Sequence, residues 1–318
     1  MKYTFLLPAY KLKYLEESLK SILNQTYRDF KVIVSDDCSP EDIKSVVERY
    51  ASDNRLIYRR NEKNMGASSL VSHWNLLVNM CDTEYLIMAS DDDIYDTYFL
   101  ENIDSLIKKY PNVNIIHARC RVIDGNGKCI QEDCIYDEYA SWTTFLSQYF
   151  YEGHIECLAN HVFKTSELKK CGCFVDFPLA WCSDTATTAN LAYNGVVNTG
   201  NILFNFRMSG LNISSANKEP KENSMKKYTA LCQFDDFMNN LYKTVPITSS
   251  SQSYLFKKTR QDYKKLIFST SIIYLRYMGV TNFIDYIKFF KSKGYLKNNY
   301  NVIKIAFIWI SSRFKSFI

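Results

Sequence analysis

The sequence predicts an α/β fold in which helices flank a mostly parallel central sheet, followed by a helical C-terminal extension. Short apolar runs alternate with helix-periodic segments over roughly the first 120 residues, a pattern typical of parallel sheets. Three of these runs end in polar or acidic residues, as strands do where a ligand binds at their carboxyl ends. Roughly the last hundred residues combine Lys and aromatic side chains at helical spacing.

The predicted strands are short runs of apolar, aromatic and β-branched side chains. In chain order they are Tyr3–Leu7, Phe30–Ser35, Leu56–Tyr58, Tyr85–Met88 and Val113–His117. Helices are predicted between them from the spacing of Leu15, Leu19, Ile22 and Leu23, and over Val71–Met80 and Phe99–Tyr110. Another helix is expected to start with Ser39 as its N-cap and Pro40 in its first turn, and to continue through Tyr50.

Beyond residue 120 the pattern is less regular. Gly125–Gly127 predicts the tip of a hairpin. Further predictions are helices at Trp142–Tyr151, Ser166–Lys170 and Ser183–Tyr193, a strand at Val196–Phe206 and a polar loop at Gly210–Lys227. From Tyr228 onward the chain is predicted to be helical, with turns near Thr244–Ser253, Met278–Asn282 and Gly294–Asn301.

Charge divides the chain unevenly. Its 318 residues are 47% hydrophobic and 23% charged, a balance that excludes wholesale disorder. The net charge of +5 conceals 17 Lys and Arg against 5 Asp and Glu over residues 220–318, and 22 against 29 over residues 1–219. We therefore expect an acidic body at 1–219 and a basic, aromatic helical extension at 220–318.

Nothing in the sequence favours secretion or a membrane span. The apolar run at the N-terminus is interrupted by Pro8 and is interpreted as a first strand, not a signal peptide. The longest apolar stretches, Leu266–Leu275 and Ile305–Ser312, are shorter than the roughly 20 residues of a spanning helix. The 10 Cys form no C-x-x-C pair and there are only four His, so a zinc site is poorly supported. A cytoplasmic protein with reduced thiols is expected.

The three polar strand ends are Pro8–Tyr10, Asp36-Asp37 and Asp91–Asp93. Right-handed crossovers would bring all three to one edge of the sheet, where they would line one pocket. Adjacent carboxylates repel unless a cation or hydrogen-bond donors neutralise them, and Mg²⁺ or Mn²⁺ is the natural partner. A solvated acidic turn is the alternative for Asp91–Asp93, and a half-buried aromatic is the alternative for Tyr10.

The ordered set of motifs resembles family 2 glycosyltransferases. The segments YTFLLPAY and LEESLKSILNQTYRDFKVIVSDDCS, followed by Asn64-Met65-Gly66, Asn75 and Tyr85–Asp93, are similar to the family's opening half. Further along, Asp184 in CSDTATTANLAYNG, Arg207 and Ser214 resemble later family positions, so that the likeness covers about residues 1–215. Among family members, those that build capsule or O-antigen are the type expected.

The resemblance implies an A-type, Rossmann-like fold and a set of site residues. Pro8, Ala9 and Tyr10 would flank the nucleobase, Asp37 or less favourably Asp36 would bind its N3–H or the ribose, and Asn64 and Gly66 would belong to the donor loop. Asp91 and Asp92 would hold the ribose and, with Asp93, a divalent Mn²⁺ or Mg²⁺ that bridges the diphosphate. Asp184 would be the general base of an inverting transfer, and a helix N-cap is its alternative.

Several positions depart from the family pattern. Lys11 stands where Asn is usual, Trp74 where Arg is usual, Ala89 where many members have an Asp, and Ser209 where His is common. Metal binding must therefore rest on Asp91–Asp93. His73 is interpreted as structural, and His154 and His161 near a family-like Asn160 carry little functional weight.

The basic tail has two open interpretations. Its segments Tyr254–Lys265, Phe283–Tyr295 and Val302–Ile318 mix cationic with aromatic and aliphatic side chains, as helices at anionic membrane surfaces do. They could equally pack their apolar sides on the catalytic body. No nucleic-acid-binding module is recognisable.

The combined expectation is a metal-dependent transferase that moves a sugar from a nucleotide-diphosphate donor, UDP-linked, to a saccharide or lipid-linked acceptor in surface polysaccharide synthesis. It would work in the cytoplasm, with peripheral contact to the inner face of the membrane. A nucleotidyltransferase, a phospho-receiver module and a non-catalytic nucleotide-sugar-binding protein are the alternatives. The sequence leaves the sugar, the acceptor, the linkage and the oligomeric state open.

Overall fold

A computed structural model describes residues 1–152, 155–210, 221–244 and 250–314. The strands are β1 Tyr3–Ala9, β2 Phe30–Asp36, β3 Leu56–Arg60, β4 Tyr85–Met88, β5 Ile94–Tyr95, β6 Ile115–His117, β7 Cys120–Asp124, β8 Cys129–Glu132, β9 Tyr139–Ala140, β10 His161–Lys164, β11 Val196–Asn198 and β12 Phe204–Met208. The α-helices are α1 Leu15–Leu23, α2 Ile43–Glu48, α3 Leu70–Met80, α4 Phe99–Lys109, α5 Trp142–Ser147, α6 Thr165–Lys170, α7 Ser183–Leu191, α8 Lys221–Thr244, α9 Ser250–Ile273, α10 Val280–Ser292 and α11 Asn299–Phe314.

Eight of the strands form the central sheet in the order β3-β2-β1-β4-β10-β6-β11-β9. The pairs β3/β2, β2/β1, β1/β4 and β6/β11 are parallel, whereas β10 runs antiparallel to both of its neighbours. A smaller sheet has the order β5-β12-β7-β8, and Gly125–Gly127 lies in the turn between the antiparallel strands β7 and β8. The predicted α/β architecture, the hairpin and the five strands of the first half are confirmed.

Strand β1 is buried on both faces, which is why it reads as a continuous apolar run. Phe5 and Leu7 belong to the hydrophobic cluster that includes residues of α1, α2 and α4. Leu6, on the other face, belongs to a second cluster that includes residues of α3, α5 and α7. The two helical layers hold the sheet between them and leave its carboxyl edge available for a site.

Three expectations about elements were wrong in detail, and one strand was missed. Helix α2 begins at Ile43 with Asp42 as its cap, because the Asp42 carboxylate accepts from the amide of Ser45, whereas the Ser39 hydroxyl donates to the carbonyl of Tyr10 and accepts from the amide of Glu41. The predicted strand Val196–Phe206 divides into β11 and β12, which belong to different sheets. The loop expected up to Lys227 is already helix α8 from Lys221, and its preceding part, 211–220, lies outside the described residues. Strand β10 was not predicted, although it joins the two halves of the sheet.

The tail packs on the body through its first two helices. Leu231 and Phe234 of α8 and Tyr263 and Ile267 of α9 are buried in the same cluster as the body residue Phe177. The rings of Phe177 and Phe234 lie 6.5 Å apart, and those of Phe234 and Tyr263 lie 6.0 Å apart. The division of the chain at residue 219 stays a prediction, but α8 and α9 complete the hydrophobic core on this side of the sheet.

Candidate active site

The carboxyl ends of β1, β2 and β4 open into a cleft of about 990 Å³. Ten of the eleven residues predicted for the site line it: Pro8, Ala9, Tyr10, Asp37, Asn64, Gly66, Asp91, Asp92, Asp93 and Asp184. The helical extension also contributes to the wall, through Leu231 and Phe234 of α8 and Ile267 of α9. The structure thus brings both halves of the chain to one cleft.

Asp36 and Asp37 are adjacent in sequence but have different hydrogen-bond partners. The fully buried Asp36 accepts hydrogen bonds from the amide of Ser39 at 2.8 Å, from the Tyr58 hydroxyl at 2.8 Å and from the guanidinium of Arg60. Its oxygens are therefore occupied within the protein, and it is absent from the lining of the cleft. Of the two candidates, Asp37 is the one that reaches the ligand space.

Asp37 is held by the loop that follows β3. Its Oδ1 accepts from Asn61 Nδ2 at 2.7 Å and from the amide of Met65 at 2.9 Å, and its Oδ2 accepts from the amide of Gly66 at 2.7 Å. Burial raises the pKa of this carboxyl, but the hydrogen bonds from Asn61, Gly66 and Met65 outweigh burial and lower the pKa below its ordinary value. Asp37 therefore stays ionised and can act only as an acceptor.

A glycine fits at position 66 because the backbone comes close to the carboxylate of Asp37 there. A Cβ atom at this position would lie 3.0 Å from Asp37 Oδ2 and 3.5 Å from Asn64 Oδ1. Any larger residue would push the loop away from the carboxylate. The Asn64–Gly66 loop therefore shapes the cleft through its backbone.

The acidic turn after β4 is wrapped by the end of β1. Asp91 Oδ2 accepts from the amide of Tyr10 at 2.9 Å and from the amide of Lys11 at 2.8 Å. The Lys11 ammonium lies 3.5 Å from Asp91 Oδ1 and 3.2 Å from Asp92 Oδ2. Burial raises the pKa of Asp91, and the Lys11 charge opposes that rise. The two carboxylates therefore converge on one cation position, and in this chain Lys11 reaches it.

Asp93 points in another direction. Its Oδ1 accepts from the backbone amide of Arg207 at 2.8 Å, and burial followed by the charge of Asp92 raises its pKa well above the ordinary value. The Arg207 side chain donates to the carbonyl of Asp92 at 2.8 Å and to Glu17 Oε2 at 2.6 Å. Asp93 and Arg207 thus fix the acidic turn onto β12, and Asp93 is the least available of the three carboxylates.

Asp184 lies in the first turn of α7 and lines the same cleft as the acidic turn. It is not the N-cap, because Cys182 occupies that position. Its Oδ1 accepts from the amide of Thr185 at 2.8 Å. Burial raises its pKa to about 6, with a contribution from Glu156 that His161 opposes. A carboxyl with this pKa changes protonation close to neutral pH, as a general base must.

The loop before Asp184 is strained. Leu179, Ala180 and Cys182 have φ angles of 58°, 55° and 64°, values that non-glycine residues rarely adopt. Such conformations persist where the surrounding structure imposes them, and they cluster at functional sites. These three residues and Trp181 all line the cleft, directly before Asp184 in the chain.

Other residues noted in the sequence have structural partners. His73 is buried, 2.9 Å from Ser35 Oγ, and its Nδ1 is 3.6 Å from Asp37 Oδ2. Asn75 exchanges two hydrogen bonds with the backbone of Phe174, at 2.9 and 2.8 Å. Asn160 donates to His117 Nε2 at 3.0 Å. His154 and Ser214 lie outside the described residues.

Sequence reasoning missed two groups in the cleft. It gave the ammonium of Lys11 no role and did not consider Glu156, which lines the cleft beside Asp184. Lys11 could have been recognised from the sequence, because it departs from the family pattern. Glu156 carried none, since it lies in an irregular segment before a 3₁₀ turn, where no periodicity marks a buried carboxylate.

A sheet with carboxylates at the carboxyl ends of its strands places the chain among α/β proteins that bind a ligand at that edge. Residues 4–172, just over half of the chain, match the family described as Glycosyl transferase family 2. The chain belongs to this family, and the resemblance seen in its motifs is confirmed at that level.

Its relatives include an uncharacterised glycosyltransferase of Methanocaldococcus jannaschii, 28% identical over 160 residues that make up 50% of this chain and 53% of that protein. The poly(ribitol-phosphate) β-N-acetylglucosaminyltransferase TarS of Staphylococcus aureus is 25% identical over 130 residues, 40% of this chain and 22% of TarS. An uncharacterised glycosyltransferase of Haemophilus influenzae is 20% identical over 306 residues, 92% of each chain. The chain therefore spans about half the length of the first relative and about a fifth of TarS.

Solved structures show the same fold. TarS in complex with UDP-GlcNAc aligns with a TM-score of 0.66 at 16% identity, over 87% of this chain and 80% of that chain. The mannosyltransferase PcManGT from Pyrobaculum calidifontis, in complex with GDP-Man and Mn²⁺, aligns with a TM-score of 0.52 at 13% identity, over 99% and 86%. The predicted A-type glycosyltransferase fold is thereby confirmed.

Two further findings concern the described residues alone. No group of three or more His, Cys, Asp or Glu side chains among them is arranged to hold a metal ion. None of the helices in this part of the chain is long and apolar enough to cross a membrane.

Proposed function

We propose that the protein transfers a sugar from a nucleotide-diphosphate donor, UDP-linked, to a saccharide or lipid-linked acceptor, with inversion at the anomeric carbon. The observation that carries the proposal is one cleft that contains Asp37 at the end of β2, Asp91 and Asp92 after β4, and Asp184 on α7. Membership of the family supports it. TarS, a relative of the same fold, binds UDP-GlcNAc.

At the donor end, Tyr10 and Asp37 would receive the nucleoside. The Tyr10 side chain is 42% exposed, while its backbone is fixed by Asp91 and Ser39, so that its ring is free to stack on a base. The ionised Asp37 can accept an N–H of the base or a hydroxyl of the ribose. Pro8, Ala9, Asn64 and Gly66 would form the walls around them.

The carboxylates of the acidic turn would supply part of the coordination shell of a divalent cation. Asp91 Oδ1 and Asp92 Oδ2 already converge on one cation, the Lys11 ammonium, whereas Asp93 is engaged by Arg207. Phosphate oxygens of the donor would have to complete the shell, as is common for Mg²⁺. When bound, Mn²⁺ or Mg²⁺ would offset the charge on the departing diphosphate. Lys11 supplies positive charge at this place when no metal is bound.

Asp184 would take the proton of the acceptor hydroxyl. Its burial in the wall of the cleft raises its pKa to about 6, so that at neutral pH it is ionised and yet basic enough to accept a proton. The carboxylate would lie on the face of the sugar opposite the diphosphate. Attack from that face would invert the anomeric centre.

The setting we propose is surface polysaccharide assembly of the capsule or O-antigen type, on the cytoplasmic side of the membrane. Support comes from one face of α11, where Tyr300, Ile303, Phe307 and Ile310 are between 48% and 72% exposed. These positions recur at helical spacing, and Lys304 is exposed beside them. Such a face suits contact with an anionic membrane that carries the lipid-linked acceptor.

Release of nucleoside diphosphate tests the proposed activity. The protein is incubated with Mn²⁺ and separate UDP-, GDP- and dTDP-linked sugars, and the freed diphosphate is measured with and without added glycoside acceptors. We expect release of UDP from at least one UDP-sugar and loss of that release in Asp184→Asn. Absence of release from every nucleotide sugar would contradict the proposal.

A further inference from the structure

A buried carboxylate lies in the wall of the cleft. The side chain of Glu156 is 4% exposed, and within the described residues neither of its oxygens has a hydrogen-bond partner. Buried carboxylates are almost always hydrogen-bonded, because burial without donors is costly. Glu156 also belongs to the lining of the cleft. A buried carboxylate beside the ligand space therefore lacks a donor among the described residues.

His161 lies against Glu156, with Nε2 3.0 Å from Glu156 Oε1. The other ring nitrogen, Nδ1, is 2.8 Å from the carbonyl of Cys157, and a carbonyl can only accept. Nδ1 therefore carries a hydrogen, and Nε2 faces the carboxylate. His161 Nε2 thus lies against Oε1, whereas Oε2 has no partner within the described residues.

Glu156 lies in the cleft wall close to Asp184. Its neighbour Cys157 lines the cleft too, and its thiol is close enough to Asp93 and Asp184 for both charges to act on it. Glu156 itself acts on Asp184 and on Tyr149, whose hydroxyl is 3.0 Å from Thr185 Oγ1. A sugar in transfer must occupy this part of the cleft, since it is joined to the diphosphate on one side and approached by the acceptor on the other.

We propose that Glu156 accepts a hydrogen bond from a hydroxyl group of the sugar being transferred, and that His161 is the positioning residue that holds it. The inference rests on the proposed function and adds a binding residue for the donor sugar. A sugar hydroxyl supplies the donor that the buried carboxylate lacks. Because a carboxylate accepts and does not donate, Glu156 would select sugars with a free hydroxyl at that position.

Titration calorimetry with UDP and with UDP-sugars tests this role. Wild type is first titrated with UDP, UDP-GlcNAc, UDP-GalNAc, UDP-glucose and UDP-galactose in Mn²⁺, and the UDP-sugar that binds most tightly is taken forward. Glu156→Gln keeps the size of the side chain and removes its charge, and Glu156→Leu removes its polar atoms. Glu132→Gln, an exposed carboxylate on β8 outside the cleft, is the matched control.

We expect both Glu156 variants to weaken the chosen UDP-sugar by about 10-fold or more, the effect of losing a hydrogen bond to a charged group. Affinity for UDP alone should stay within about 2-fold, which also shows that each variant is folded, and Glu132→Gln should match wild type. The melting temperature of Glu156→Gln should stay close to that of wild type, because the amide keeps the size of the side chain and can still hydrogen-bond to His161 Nε2.

Two results would overturn the inference and leave the proposed function standing. One is UDP-sugar affinity in Glu156→Gln equal to that of wild type. The other is a lower melting temperature with unchanged UDP-sugar affinity, which would make Glu156 a structural partner of His161 alone. A wild-type protein that binds none of the five ligands contradicts the proposed function, and this inference falls with it.

Discussion

At the scale of single residues, the site depends on how neighbouring carboxylates are separated by their surroundings. The side chain of Asp36 accepts hydrogen bonds from Arg60 and Tyr58, whereas Asp37 faces the cleft. The sequence alone left both residues as candidates for donor binding. Sequence could indicate an acidic strand end but not which side chain the loop after β3 would hold. Glu156 was beyond prediction for a related reason, since only the folded chain places it beside Asp184.

The proposed base gives the sharpest prediction at this scale. Asp184→Asn should lower transfer by at least about 10²-fold, because general-base catalysis contributes that much or more. UDP affinity should remain within about 2-fold. The same substitution at Asp29, exposed at the opposite end of β2, is the control and should change neither. Transfer that survives in Asp184→Asn would show that the base is another group.

The pH profile has a definite sign. With a pKa of about 6, Asp184 is protonated below that pH and cannot accept a proton, so that activity should rise as pH increases through about 6. Initial rates from pH 5 to 8 at saturating donor measure this. A rate that does not change over that range would contradict the assignment.

We predict that the Lys11 ammonium competes with the metal ion for Asp91 and Asp92. Its ammonium occupies the position on which Asp91 and Asp92 converge, so that Lys11→Met should tighten Mn²⁺ binding and make activity depend more strongly on added metal. Mn²⁺ titration in the presence of UDP measures this, and Lys13→Met, an exposed neighbour, is the control. Unchanged or weaker Mn²⁺ binding in Lys11→Met would place the metal elsewhere.

At the scale of elements, the first half of the sheet was predictable and the second half was not. Strands β1, β2 and β4 are largely apolar runs between amphipathic helices, a strong local signal. Strand β10 has four residues and pairs antiparallel, and β11 and β12 lie only a few residues apart yet belong to different sheets. Such assignments depend on partners distant in sequence, which periodicity does not reveal.

In the loop after β3, we predict that a side chain at position 66 would crowd the carboxylate of Asp37. In Gly66→Ala the new methyl group would lie 3.0 Å from Asp37 Oδ2, so that stability should fall by about 1–3 kcal/mol and UDP affinity should fall with it. Gly200→Ala is the matched control, because an added Cβ there meets nothing within 4 Å. Urea denaturation and UDP titration give the two readouts. Wild-type values for Gly66→Ala would show that the loop adapts freely.

Helix α11 predicts membrane contact that point substitutions can test. Deletion of the tail is unsuitable, since Tyr263 and Ile267 of α9 belong to the core. Phe307→Asp should reduce co-sedimentation with phosphatidylglycerol vesicles, because Phe307 is 72% exposed and a charge there opposes insertion. Ile135→Asp changes a residue that is 75% exposed on the body and is the control. Equal vesicle binding by the two variants would contradict a docking role for α11.

At the scale of the whole molecule, the two oppositely charged parts of the chain meet at one cleft. The acidic part supplies the strand-end carboxylates, and the basic part supplies apolar side chains of α8 and α9 to the wall and the core. The charge split was visible in the sequence, but it suggested a separate appendage. The charge distribution could not predict this shared core, because the packing surfaces of α8 and α9 are apolar.

The central claim is that this cleft binds a nucleoside diphosphate, and isothermal titration tests it directly. Wild type is titrated with UDP, GDP and dTDP, with and without Mn²⁺, alongside Asp37→Asn and the control Asp29→Asn. We predict that UDP binds most tightly, that Mn²⁺ strengthens its binding, and that Asp37→Asn weakens it by about 10-fold while Asp29→Asn does not. Binding of none of the three nucleotides, or UDP binding that is the same in wild type and Asp37→Asn, would contradict the account.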